Sequence, residues 1–224
     1  MRIYVPDPTE LKRIRYCNEH NIGLLYVPKL NRIPRSEDFI VDNGAFEAWN
    51  KGIFWDDERF LKYCKRLETE KHTPYFAVLP DIVAGGVMSL DQSAKYYHEL
   101  PRNWRKYLAV QDGMTHQDVI GFLCHHECAG IFVGGSVEWK YKTMVGWVKF
   151  AHERDMLCHV GRIGTKRAYD ICNQAGVDSV DGSNPVRNRR LHIINEWREH
   201  NRQQVRLDTE DHRWRNLSKG LCGD

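Results

Sequence analysis

The residues "LCHVGRIGTKRAYDICNQAGVDSVDGSNPVR" (157–187) decide the fold class. An apolar run (157–161) is followed by an amphipathic stretch (165–176) and then by a second short apolar run (178–181). A strand, a helix and another strand in this order form a βαβ unit, whose two strands are parallel. The stretch therefore predicts an α/β fold with a parallel sheet. Its last strand ends at Asp181, which enters a loop of turn-forming residues.

The same alternation extends over the whole chain. Eight apolar runs are predicted to be strands: 2–6, 22–27, 39–42, 75–81, 107–111, 130–135, 157–161 and 178–181. Amphipathic stretches predict helices at 8–20, 56–71, 89–100, 115–127, 141–154, 165–176 and 189–204. Only the connection between the second and third runs lacks a helix. Near-continuous apolar strands are typical of a parallel sheet that is buried on both faces. The pattern predicts a compact (β/α)8 TIM barrel, with a doubly wound open sheet as the alternative.

Length and composition are consistent with one domain. The chain has 224 residues, 42% of them hydrophobic, which is enough for a substantial core. We expect a single barrel over 1–206 and a weakly structured tail over 207–224. The seven cysteines are odd in number and scattered, which argues against a secreted disulfide framework. No apolar run reaches the roughly 18 residues of a membrane span, and the first residues lack a signal-peptide pattern. The expected location is the cytoplasm, or the host cytoplasm if a phage encodes the protein, without membrane association.

Polar and glycine residues occupy the predicted strand ends. In a barrel these ends converge on one mouth, where the chemistry of such proteins takes place. A single aspartate there is usually a turn or helix-cap residue, but three on one rim, beside glycines that allow a ligand close to the backbone, predict a site. The residues concerned are Asp42, Asp81, Gln111, Gly134, Gly135, Gly161 and Asp181.

These residue types favour displacement at the anomeric carbon of a sugar. One carboxylate attacks C1′ while the other handles the proton of the leaving group. Carboxylates, carboxamides and backbone amides also suit the hydrogen-bonding edge of a purine. No phosphate-binding glycine motif is present. The segment "CHHEC" (124–128) has metal-binding residue types but falls in a helix predicted to lie outside the barrel, so we expect neither a metal nor a cofactor.

Four segments carry a resemblance to a known family. These are "VDNGAF" (41–46), "VQDG" (110–113), "FVGGSV" (132–137) and "GVDSVDGSNPVR" (176–187). They resemble the Asp-Ser-Gly-Gly-Phe/Tyr, Val-Gln-Gly, Gly-Gly-Leu-Ala-Val and Gly-Ile-Asp-x-Phe-Asp-x-x-x-Pro-x-Arg segments of the tRNA-guanine transglycosylases and their DNA-modifying relatives. The resemblance covers residues 2–187 and is greatest to the compact DNA 7-deazaguanine transglycosylases of bacteria or phages. These enzymes exchange guanine for a 7-deazaguanine base.

The resemblance implies a role for each matching residue. Asp181 would be the nucleophile that bonds to C1′, and Asp42 the acid/base that also contacts the base. The positions that would bind the base are Asp81, Gln111, Gly134, Gly135, Phe46 and Val160. Among them, the Gly135 N–H would donate to the base carbonyl, and Phe46 and Val160 would sandwich the ring.

Three departures from the family pattern bear on the substrate. Asn43 and Ala45 replace smaller or more flexible residues, and Ser136 replaces a leucine that helps to sense the 7-substituent. The zinc module that follows the barrel in the family is missing. The C-terminal part offers His192, His200, His212 and Cys222 without ligand spacing. Because that module supports RNA binding and dimer formation, its absence favours DNA over tRNA and a monomer over an oligomer.

Basic residues follow the predicted nucleophile. Arginines stand at 187, 189, 190, 198, 202 and 206. We expect Arg187, Arg189 and Arg190 to contact phosphates, and Trp139 and Lys140 to stack on or clamp the flanking nucleotides. The alternatives are a solvated helix face for the arginines and a core or rim position for Trp139.

The resulting hypothesis is a DNA-guanine transglycosylase that binds DNA and a free 7-deazaguanine base (preQ0-like). A tRNA-guanine transglycosylase of the same family is one alternative. A non-catalytic, nucleic-acid-binding barrel subunit is the other, although the presence of both Asp42 and Asp181 argues against it.

Overall fold

The computed structural model describes residues 1–28 and 31–201 and confirms the barrel. Eight parallel strands close in chain order, with β8 paired to β1, which excludes the open sheet. The strands are β1 (Arg2–Pro6), β2 (Gly23–Tyr26), β3 (Phe39–Val41), β4 (Ala77–Val78), β5 (Lys106–Val110), β6 (Gly130–Val133), β7 (Leu157–Val160) and β8 (Ser179–Asp181). The helices are α1 (Leu11–Glu19), α2 (Ala45–Asn50), α3 (Asp57–Thr69), α4 (Met88–Tyr96), α5 (His116–Leu123), α6 (Val137–His152), α7 (Lys166–Gln174) and α8 (Asn184–Arg187). A further helix, α9, is described over 193–201.

Strand side chains alternate between two apolar layers, as the period of two requires. The larger layer lies between the barrel and the helices. The smaller layer fills the barrel itself, and Phe76 and Tyr107 stack there with ring centroids 3.8 Å apart. Its buried members are Tyr4, Leu25, Ile40, Phe76, Val78, Tyr107 and Ala109. The barrel interior is thus a packed core, with a cavity at its mouth.

Four helices, α3, α5, α6 and α7, begin with a side chain that caps the N-terminus. Asp56 accepts from the backbone of Arg59 at 2.9 Å, and Ser136 accepts from that of Trp139 at 3.3 Å. Thr115 forms a capping box with Asp118 at the start of α5. These caps satisfy helix N–H groups that have no partner within the helix. They also fix the loops that follow the strands, where the candidate site lies.

The structure corrects several details of the predicted elements. The predicted run at 75–81 forms only two strand residues, because Pro80 has no N–H for the ladder. Helix α8 falls in a segment predicted to be a loop, and α2 in one for which no element was predicted. Residues 124–128 form a turn after α5 and not a helix. The predicted boundary at 206 and the tail lie outside the described residues. Within those residues, no helix has the length and apolar character needed to cross a membrane.

Candidate active site

A cavity of about 390 Å³ opens at the carboxyl ends of the strands. Most of the predicted site residues line it, together with residues that the sequence did not indicate. Its lining consists of Asp42, Asn43, Phe46, Trp49, Val78, Asp81, Val83, Ala84, Gln111, Asp112, Phe132, Gly134, Gly135, Ser136, Arg162 and Asp181. The structure therefore places Asp42, Asp81, Gln111 and Asp181 at one cavity, while Gly161, also expected there, does not line it. The roles assigned to these residues stay predictions.

Strand periodicity explains why the two principal carboxylates meet. Ile40 belongs to the layer inside the barrel, so Asp42, two residues later, also points inward. Val180 packs in the outer layer, which places Asp181 on the inner side. The register of β8 on β1 sets Asp181 opposite Tyr4, a residue of the barrel interior.

Asp42 lies in an environment that disfavours its charge. Burial raises the pKa of its carboxyl to about 7, and the negative charges of Asp181 and Asp81 contribute in the same direction. The Gly44 N–H donates to Oδ1 at 3.1 Å and opposes this shift only in part. Near neutral pH the carboxyl of Asp42 can therefore both give and take a proton.

Asp181 is held by hydrogen bonds on both carboxylate oxygens. His159 Nε2 lies 3.0 Å from Oδ2, and the Arg162 N–H donates to Oδ1 at 3.2 Å. The Asp181 side chain is 13% exposed and reaches the cavity. The two carboxyls thus differ: one is surrounded by donors and the other is not well supported as an anion.

Asn43 fixes the third carboxyl, that of Asp81. Its Nδ2 donates to Asp81 Oδ1 at 2.8 Å and to the Leu79 carbonyl at 2.9 Å, while its Oδ1 accepts from Ala45 N at 2.8 Å. Burial raises the pKa of the Asp81 carboxyl to about 6, a rise that the hydrogen bond from Asn43 opposes in part. Asn43 therefore has a structural role in this site: it holds Asp81 and the backbone on both sides.

The wall formed by β5 and β6 is polar and closely packed. Gln111 is buried and donates to the Ile82 carbonyl at 2.8 Å. Asp112 accepts from the backbone and the hydroxyl of Ser136, both at 2.6 Å. A Cβ at position 135 would come within 2.5 Å of Asp112 Oδ2, and φ there is +71°, so only glycine fits.

The two residues predicted to sandwich the base lie in different places. Phe46 lines the cavity and is 38% exposed, with Trp49 beside it at a centroid distance of 5.9 Å. Val160 does not line it, because it packs in the outer layer, so its predicted role is wrong. The guanidinium of Arg162 lies over the Phe46 ring at 4.1 Å instead.

The residues predicted to bind nucleic acid differ in their positions. Arg187, Arg189 and Arg190 are exposed in the segment that follows the carboxyl end of β8. Trp139 is half-buried against the core, which favours a packing role. Lys140 is buried, and its ammonium donates to the Gly161 carbonyl. Its predicted contact with flanking nucleotides is therefore wrong, since it has no surface to offer.

Sequence reasoning missed His159, Asn43, Asp112 and Arg162. Asn43 and Asp112 stand next to predicted site residues, so their proximity was a usable signal. His159 lies within an apolar run and alternates with Val160, so only the strand phase could have pointed to it. Arg162 reaches the mouth from a loop in which φ is +63° for this residue, a conformation that composition does not reveal.

Over 1–28 and 31–201, no group of three or more His, Cys, Asp and Glu side chains has the arrangement of a metal site. The expectation that no metal is needed stays a prediction. Two of the four tail residues named above, His212 and Cys222, lie outside the described residues.

Comparisons with protein-family models and with curated proteins find no match to this chain. The class of protein is therefore defined by its fold and its cavity. The protein is a (β/α)8 barrel with an acidic, partly aromatic cavity at the carboxyl ends of its strands.

Proposed function

We propose that this protein is a DNA-guanine transglycosylase that replaces guanine in DNA by a 7-deazaguanine base (preQ0-like). The observation that carries the proposal is the pairing of Asp42 and Asp181 in one cavity with different environments. One carboxyl has a pKa near 7, and the other is held by donors on both oxygens. Base exchange through a covalent intermediate needs one group of each kind.

In the first half-reaction, an Asp181 carboxylate oxygen attacks C1′ of the target nucleotide. The C1′–N9 bond breaks, and its electron pair goes to the departing guanine. The protonated carboxyl of Asp42 gives that base its proton. Asp181 is then joined to C1′ as an ester, and Asp42 is left as a carboxylate.

The second half-reaction reverses these roles. The incoming base gives its N9 proton to the Asp42 carboxylate and attacks C1′. The bond between C1′ and Asp181 breaks, which restores the Asp181 carboxylate. Protons and electrons balance over the cycle, and no co-reactant is consumed.

The remaining cavity groups are suited to a purine-like base. Asp81 and Gln111 offer polar side-chain atoms, the Gly134–Gly135 backbone allows close approach, and Phe46 offers a flat apolar surface. Ser136 and Asp112 occupy the wall where the resemblance expects the 7-substituent. A polar wall there supports a base with a polar substituent at that position.

DNA is the proposed polymer because Arg187, Arg189 and Arg190 are exposed in the segment that directly follows Asp181, where they can contact the phosphates that flank a bound nucleotide. A target guanine inside a duplex would have to be flipped out at a cost of a few kcal/mol. An unpaired target avoids that cost.

The test is exchange of radiolabelled guanine on single-stranded DNA, duplex DNA and tRNA. We expect Asp181→Asn to lower the exchange rate at least about a thousandfold, which is roughly 4 kcal/mol of barrier, because an amide cannot attack C1′. The control is Asp155→Asn, an exposed aspartate of the turn that precedes β7, which should exchange normally. An Asp181→Asn protein that still formed a denaturation-resistant adduct would refute the assignment. Exchange on tRNA alone would refute the choice of DNA.

A further inference from the structure

The strongest unassigned feature is a histidine inside the barrel. His159 is fully buried and stacks on Phe132, with ring centroids 4.9 Å apart and planes inclined by 20°. The edge of Phe76 approaches it at 5.1 Å. A plain apolar side chain would fill this space without any need for polar partners. An imidazole at this position therefore needs a reason beyond packing.

Both ring nitrogens of His159 have a partner. Nδ1 lies 2.8 Å from the hydroxyl oxygen of Ser179, which is itself buried. Nε2 lies 3.0 Å from Asp181 Oδ2. An ionised carboxylate can only accept a hydrogen bond, so Nε2 carries the proton whether the imidazole is neutral or charged.

The two carboxylate oxygens of Asp181 have different partners. Oδ2 faces the buried histidine, while Oδ1 accepts from the Arg162 N–H in the loop at the mouth. This series of contacts joins two adjacent strands. His159 lies on β7 and pairs in register with Ser179 of β8, the strand that also carries Asp181. Their mutual arrangement is therefore fixed by the barrel and not by a loop.

We propose that His159 is a positioning residue that holds Oδ2 of Asp181 and leaves Oδ1 as the attacking oxygen. The inference rests on the proposed function, in which Asp181 is the nucleophile. When the bond between Oδ1 and C1′ forms, Oδ2 becomes the carbonyl oxygen of the ester. The hydrogen bond from Nε2 persists through this change, and no proton leaves the histidine. Ser179 fixes the ring from its opposite edge.

Two variants separate hydrogen bonding from packing. His159→Phe keeps an aromatic ring between Phe132 and Phe76 but removes the donor. His159→Gln places an amide N–H near the position of Nε2. We expect His159→Phe to lower kcat for guanine exchange about 10- to 100-fold, the effect of losing one hydrogen bond to a charged group. KM for DNA and for the free base should not change, because His159 does not line the cavity. His159→Gln should recover most of the lost kcat.

A loss of packing would act differently: it would raise KM as well and would not be rescued by glutamine. Urea denaturation of each variant shows whether it is folded under assay conditions. If His159→Phe is folded and retains the wild-type kcat, or if His159→Gln is no better than His159→Phe, the inference is wrong.

A measurement without catalysis tests the contact itself. In the ¹⁵N-labelled protein, we expect a slowly exchanging proton on Nε2 of His159, whose signal shifts and exchanges faster in Asp181→Ala. A signal that is indifferent to Asp181→Ala overturns the inference even in an active enzyme. A wild-type protein that shows the contact but exchanges no base on any nucleic acid refutes the proposed function, so the two failures are distinguishable.

Discussion

At the scale of single residues, the site depends on two aspartate carboxyls that differ in their hydrogen bonds and neighbouring charges. Asp181 receives hydrogen bonds from His159 and Arg162, whereas Asp42 receives one from Gly44 and faces other carboxylates. The same residue type thus becomes a candidate nucleophile in one place and a candidate proton carrier in another. This difference has a cost in stability, because the charged form of Asp42 is poorly accommodated in the fold.

That cost leads to a prediction for Asp42→Asn. The pKa of Asp42 is raised from 3.8 to about 7 in the folded protein. The folded protein therefore holds the Asp42 proton more tightly than the unfolded chain does. For this reason the free energy of unfolding falls as pH rises from about 4 through 7. Over this pH range the loss in the free energy of unfolding amounts to at most about 4 kcal/mol. At pH 8 we expect the amide to increase the free energy of unfolding by about 1–3 kcal/mol, and at pH 4 to change it little.

Urea denaturation at the two pH values checks this, with Asp155→Asn as the exposed control. Equal stability of Asp42→Asn and wild type at pH 8 would contradict the unfavourable environment assigned to the carboxyl. The exchange assay should show the variant to be inactive, so the gain in stability and the loss of activity would have the same origin.

Residue-level prediction from sequence succeeded where a polar residue ended an apolar strand. Asp42, Asp81, Gln111 and Asp181 all stood out in this way. It failed at Val160, because adjacent strand residues face opposite layers and an error of one position reverses the assignment. His159, the neighbour that does face inward, was hidden within the apolar run.

At the scale of elements, short segments at the mouth shape the site. Strand β8 has only three residues, and the backbone carbonyl of Asp181 at its end accepts a hydrogen bond from the Ile163 N–H at 2.5 Å. The next residue, Gly182, lies against the same loop. A Cβ there would overlap the carbonyl oxygen of Ile163, which is backbone and cannot turn aside.

We therefore expect Gly182→Ala to lower the free energy of unfolding by about 1–3 kcal/mol or more and to impair exchange, because β8 and the loop must separate. Gly121→Ala is the matched control, since a Cβ at this position in α5 meets nothing within 4 Å. It should stabilise the protein by about 0.5–1 kcal/mol, the usual gain from alanine within a helix. Urea denaturation measures both, and a Gly182→Ala protein as stable as wild type would contradict the predicted overlap.

The long elements were predictable because their apolar periodicity is strong. Helices α3, α5, α6 and α7 lie within a few residues of their predicted bounds. Helices α2 and α8, of six and four residues, begin in segments rich in turn formers. Such segments have no periodicity long enough to detect, and contacts at the mouth determine their structure.

At the scale of the whole molecule, closure of the barrel is what local patterns could not decide. It depends on pairing between β1 and β8, whose residues Tyr4 and Asp181 are far apart in sequence. Only the series of eight apolar runs, seven of them followed by a helical pattern, favoured a barrel over an open sheet. Closure also gives the protein two distinct ends. The cavity opens at the carboxyl ends of the strands, and the segment with the exposed arginines 187, 189 and 190 begins at the carboxyl end of β8.

This placement makes the salt dependence of DNA binding informative. Each arginine that neutralises a phosphate releases counterions, so the logarithm of affinity falls by about 0.7 to 0.9 per contact for each tenfold rise in salt. We expect Arg189→Gln with Arg190→Gln to flatten the slope by about two, with similar effects on different DNA sequences, because phosphates carry no base information. Lys71→Gln with Arg102→Gln removes the same charge from exposed positions before β4 and β5, at the opposite end of the barrel. That control should leave the slope unchanged. Equal slopes for both double variants would mean that the salt dependence follows the net charge of the protein. In that case Arg189 and Arg190 do not contact the phosphates of the bound DNA.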